Sequence, residues 1–73
     1  MIKTEIGDVA GFIWHHLDRV GETDYSTLKK EIMVKHSISE DFFMMAIGWL
    51  LRENNISITN DSKTFTNAKL KLR

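Results

Sequence analysis

The sequence contains no cysteine and no proline among its 73 residues. Without cysteine there is no disulfide and no thiolate metal site, which fits a reducing compartment. The charge surplus typical of strong nucleic-acid binders is also missing, since ten basic side chains balance ten acidic ones. The longest apolar run is residues 42–51, ten residues that include Gly48. That is far short of the roughly 18 needed to suggest a membrane span. The first residues, MIKTEIGDVAGF, lack the basic start, apolar stretch and small-residue cleavage site of a signal peptide. The expectation is a cytoplasmic chain with no membrane association.

Seventy-three residues make a single domain. At this size only about 60% of the unfolded surface is buried, so such domains gain from a partner. The charge is unevenly distributed. Residues 1–55 carry six basic against nine acidic side chains, and residues 56–73 carry Lys63, Lys69, Lys71 and Arg73 against Asp61 alone.

The stretch that organises the chain is residues 40–55, EDFFMMAIGWLLRENN. Phe43, Ala46, Ile47 and Leu50 recur at i, i+3, i+4, i+7, the spacing of one buried helical face. This predicts a third helix over about residues 40–54, with Ser37 or Ser39 as its N-cap. A first helix is predicted over about residues 4–20, with Ile6, Val9, Ala10, Ile13, Leu17 and Val20 as its apolar stripe and Gly21 as its stop. A second, over about residues 27–34, would be capped by Ser26 and face inward through Leu28 and Ile32.

The period changes after Asn55. Ile56 and Ile58 alternate with Ser57 and Thr59, a strand signal, and residues 60–63 read as a turn. The expectation is a β-hairpin over about residues 56–67 with Lys63 at its tip, then a basic strand-like tail at 68–73. Three helices followed by a hairpin in this order predict an α+β winged helix-turn-helix.

Two blocks also carry a resemblance. Ile6, Gly7, Ala10, Gly11, Ile13, Trp14 and Leu17 match an IG..AG.IW..L opening, and Ala46, Gly48, Trp49, Leu50, Arg52 and Glu53 match an A.GWL.RE block. Together they make residues 6 to about 58 similar to a small prokaryotic winged helix-turn-helix family of unassigned function. The resemblance implies the winged-helix fold and a DNA-binding role of the transcription-regulator type. It transfers no ligand and no residue-level site.

If the domain holds DNA, the third helix should enter the major groove. Its outward stripe is Asp41, Met45, Gly48 and Arg52, a poor reading head with one cation. Acids in a first helical turn also complement the helix dipole. Phosphate contacts are expected instead from Lys29 and Lys30 before the turn, Lys35 and His36 beside it, and Lys63 on the wing; Met45 and Arg52 are the DNA-contact candidates on the helix itself. Such contacts predict weak, salt-sensitive binding with little sequence readout.

A second reading is a protein-interaction module on the same scaffold. Gly7 and Gly11 sit four apart beside the first apolar stripe, with Trp14 one turn on. They mark either close packing within the chain, for example against Trp49 or a C-terminal strand, or a homodimer seam. Trp14, Trp49, Leu70 and Leu72 are the further candidates for such a seam, and a homodimer is the expected partner.

An enzyme is not expected. His15 and His16 are adjacent on a helix and point about 100° apart. No metal-ligand spacing, phosphate loop or nucleophile–base pair is present, so no metal, cofactor or small-molecule ligand is inferred.

Overall fold

A computed structural model of the chain describes residues 2–59 and 68–73. Helix α1 spans Ile2–Val20, strand β1 Thr23–Asp24, helix α2 Tyr25–His36, helix α3 Glu40–Arg52, strand β2 Ile56–Thr59 and strand β3 Lys69–Leu72. Three helices and a three-stranded antiparallel sheet make an α+β winged helix-turn-helix. The expected hairpin turn at residues 60–63, with the wing-tip Lys63, and the rest of the expected hairpin to residue 67 lie outside the described residues.

The α1 stripe folds as its periodicity predicts. Val9, Ala10, Ile13 and Leu17 are buried and Ile6 packs against them, whereas Val20 is nearly half exposed. The helix stops at Gly21, whose φ of +86° suits a residue without Cβ and whose N–H donates to the Leu17 carbonyl at 2.8 Å.

Helix α2 begins two residues before its predicted start and ends two after its predicted finish. Its N-cap is Asp24 rather than Ser26. The Asp24 carboxylate accepts the Thr27 N–H at 3.2 Å and the Thr27 hydroxyl at 2.9 Å. The earlier start turns Tyr25 inward, where its ring meets Phe43 edge-on at 5.7 Å between centroids. At the other end, His36 lies flat on Phe12, with 3.7 Å between ring centroids and 3° between ring planes. The chain leaves α2 through Ser37 in the left-handed region at φ 53°. Ser39 then caps α3, its hydroxyl accepting the Phe42 N–H at 3.3 Å.

Helix α3 buries Phe43, Ala46, Ile47 and Leu50, the four residues that its spacing singled out. It ends at Arg52, two residues before its predicted end, because Asn54 takes a left-handed φ of 59°. The 53–55 turn is closed by N–H bonds from Glu53 to Trp49, Asn54 to Leu51 and Asn55 to Leu50 carbonyls.

Residues 68–73 are not a tail. Strand β3 is the central strand of the sheet, in the order β1-β3-β2. Leu70 faces Thr23 across one edge and Ile58 across the other, and Leu72 faces Ile56. Ala68 is buried and its carbonyl accepts the Tyr25 N–H at 2.8 Å. Alternation sends Leu70 and Leu72 toward the core and leaves Lys69 and Lys71 outside. The sequence signals a strand here; what it does not reveal is that this strand has two partners, one of them a two-residue strand more than forty positions upstream.

Candidate nucleic-acid interface

The turn between α2 and α3 sets which side chains face outward on both helices. Burial of Leu28 and Ile32 turns Thr27, Lys30, Glu31, Val34 and Lys35 to the surface of α2, where they line one shallow groove. Burial of Phe43, Ala46, Ile47 and Leu50 leaves α3 to expose Asp41, Met44, Met45, Gly48, Trp49 and Arg52. Met44 is 50%, Met45 44% and Trp49 45% exposed, so the outward side of α3 is largely apolar.

The cations divide by whether they are already engaged. Lys29 forms an ion pair with Glu40, joining α2 to the first turn of α3. The Glu40 carboxylate hydrogen-bonded to its ammonium holds Lys29 above the ordinary lysine value. A phosphate at Lys29 would compete with Glu40 for its charge. Lys30, Lys35 and Arg52 are exposed and form no ion pair among the described residues. His36 is half-buried by its stack on Phe12, and Lys63 lies outside the described residues. The candidate contacts thus separate into exposed Lys30 and Lys35 on α2, Met45 and Arg52 on α3, and an engaged Lys29.

Met44 has a local anchor: it accepts a hydrogen bond at its sulfur from the Tyr25 hydroxyl. Burial pushes the Tyr25 phenol above its ordinary value.

The residues read as a seam separate too. Leu70 is fully buried and Leu72 partly buried, because β3 is central, so Leu70 belongs to the core rather than to an external surface. Trp14 is 39% and Trp49 45% exposed. Among the described residues, nothing outside their own helix turn lies within 4 Å of where a Cβ would stand on Gly7, Gly11 or Gly48.

Sequence reasoning missed a second cluster. His15, His16 and His36, the only histidines of the chain, all line one cleft between α1 and α2. His16 is buried, with Glu31 at 3.2 Å from Nε2 and Arg19 Nη2 at 3.2 Å from Nδ1. The spacing of His16 and Arg19, one helical turn, was the only available signal; their meeting with α2 is a long-range contact. No three His, Asp or Glu side chains among the described residues are placed to hold a metal ion, and no described helix is long and apolar enough to cross a membrane.

A family model described as a winged helix-turn-helix domain, DUF2582, matches residues 1–68. The chain belongs to this family. The match ends just before β3, the central strand of the DUF2582 domain seen here. The chain is also similar to the uncharacterized protein MJ1608 of Methanocaldococcus jannaschii, at 41% identity over 59 residues, covering 81% of each protein. No solved structure matches the chain significantly. Membership of DUF2582 supports a fold of the DNA-binding type.

Proposed function

We propose that this DUF2582 domain binds duplex DNA in the cytoplasm as a transcription-regulator-type protein, gripping phosphates and reading few bases. The role is binding rather than catalysis. One observation carries it. The helix preceding α3 offers Lys30 and Lys35 exposed and without an ion pair among the described residues, while α3 offers an apolar side with Arg52 as its cation. Cations beside a groove-sized helix hold the backbone; methionine and tryptophan side chains lack the paired donors and acceptors that discriminate bases.

The test is fluorescence anisotropy of labelled duplexes against salt concentration. Two to three phosphate contacts predict a log–log slope of roughly −2 to −3. Lys30→Gln and Lys35→Gln should each make it shallower by about 1. Unrelated duplexes should bind alike. Absence of binding at low salt, or strong preference for one sequence, would contradict the proposal.

The exposed apolar side chains favour a second reading, homodimerisation. Trp14, Met44, Met45 and Trp49 are each between 39% and 50% exposed, and among the described residues the sides of α1 at Gly7 and Gly11 are open, which leaves room for a second helix. Large apolar side chains of these types are enriched at interfaces. Sedimentation equilibrium should then report a dimer that Trp14→Glu or Trp49→Glu dissociates; a monomer at high concentration would remove this reading.

A further inference from the structure

The cleft between α1 and α2 concentrates basic nitrogen to a degree the composition does not suggest. Acidic and basic residues are equal in number over the whole chain. Yet five of the seven described residues lining this cleft are His15, His16, Arg19, Lys35 and His36, and none is acidic. Phe12 and Ile32 supply an apolar floor. Helix-dipole complementarity accounts for Arg19, Lys35 and His36 each standing in a last turn. It does not require them to converge on one cleft together with the other two histidines.

Donors remain free there. Arg19 commits one guanidinium nitrogen to His16 Nδ1, which leaves most of its five N–H groups for another acceptor. That bond makes Nδ1 the acceptor, so the His16 proton sits on Nε2 and points at Glu31. Glu31 is thereby engaged by His16 and is not among the residues lining the cleft. Among the described residues, the Lys35 ammonium and the ring nitrogens of His15 and His36 have no hydrogen-bond partner. The stack on Phe12 fixes the plane of the His36 ring. A metal cation would meet the positive charges of Arg19 and Lys35 and find both His16 nitrogens engaged. An anion meets fixed positive charge and directed N–H groups.

We propose that this cleft is a binding site for a phosphate group. Arg19 and Lys35 supply charge, and His15 and His36 supply N–H donors. Its volume, about 110 Å³, is that of a few water molecules at roughly 30 Å³ each. That suits one tetrahedral oxyanion and is too small for a drug-sized ligand, whose pockets begin at about 300 Å³. The anion is therefore either free phosphate, with any attached group left in solvent, or a phosphate of a nucleic-acid backbone lying along the helices. The site shares Lys35 with the DNA-binding proposal but stands without it, because Lys30 and Arg52 do not line the cleft and inorganic phosphate alone can fill it.

The test follows the imidazole and arginine side-chain NMR signals of His15, His16, His36 and Arg19 in the full chain. Inorganic phosphate and a generic duplex are titrated separately, with sodium chloride holding ionic strength constant. Phosphate should move these signals saturably, while matched chloride leaves them in place. Lys35→Gln, an exposed substitution outside the core, should weaken phosphate by about tenfold, as loss of one charge-assisted contact does. Arg19→Gln should do the same with the amide spectrum still dispersed. If the duplex moves the same signals, the phosphate is a backbone phosphate; if only inorganic phosphate does, it is a free or small-molecule phosphate. No saturable response to either, or an unchanged response in Lys35→Gln, overturns the site.

Discussion

Replacing Leu70 by alanine tests the placement of β3 at the centre of the sheet. Leu70 is fully buried and stands between Thr23 and Ile58 on the flanking strands. Leucine-to-alanine changes at such sites cost about 2–5 kcal/mol, the lost transfer energy plus the residual cavity. A domain of 73 residues has on the order of 4–11 kcal/mol in total, at roughly 0.05–0.15 per residue. One side chain in the last four residues should thus remove roughly half of the stability. At about 4–8 °C per kcal/mol for a domain of this size, the melting temperature should fall by about 8–40 °C. Lys71→Ala, one position along the same strand but exposed, should change stability by less than about 0.5 kcal/mol. Urea unfolding followed by tryptophan fluorescence and far-ultraviolet circular dichroism measures both. A loss below about 1 kcal/mol for Leu70→Ala, or one equal to that of Lys71→Ala, would refute the reasoning and return residues 68–73 to the status of a peripheral tail.

Other substitutions probe the helices. Gly7→Ala, Gly11→Ala and Gly48→Ala each lie within a helix and, among the described residues, meet nothing outside their own helix turn within 4 Å, so each should stabilise the isolated domain by about 0.5–1 kcal/mol in a denaturant melt; a loss at Gly7 or Gly11 that grows with protein concentration would instead place those glycines in a seam. Ser39→Ala removes the acceptor of the Phe42 N–H and should cost about 0.5–2 kcal/mol by the same measurement. Hydrogen bonds from Thr27 hold the Asp24 carboxyl below its ordinary 3.8, so its stabilising contribution is fully present above that value and is lost as pH falls through the lower folded value. The difference in melting temperature between the natural chain and Asp24→Ala should accordingly be constant near neutrality and shrink below about pH 3.8; a gap undiminished in strong acid would count against the assignment of Asp24 as the cap.

Periodicity made the helical core readable. Phe43, Ala46, Ile47 and Leu50 had one geometry open to them, and so did Val9, Ala10, Ile13 and Leu17, because a spacing of three and four residues fits one face of a helix. The start of α2 was less readable because Asp24 and Ser26 are both good N-caps; the packing of Tyr25 on Phe43, nearly twenty residues away, decides for Asp24. Alternation at residues 68–72 signals a strand but carries no information about its neighbours, which is why a central strand read as a tail. The surface was legible in kind but not in state. Lys29 and Lys30 are adjacent and chemically alike, yet only Lys29 lies against Glu40. The histidine cleft left only the His16–Arg19 spacing as a local mark, because His36 and His16 are twenty positions apart and share the cleft only through the packing of α1 on α2.

The most direct test of a phosphate-gripping DNA domain is a chemical-shift titration of the labelled protein with a generic duplex, at low and then physiological salt. The account predicts shifts at Lys30, Lys35 and Arg52 that weaken steeply as salt rises and are alike for unrelated duplexes. Silence at low salt, where non-specific binding is strongest, would contradict it.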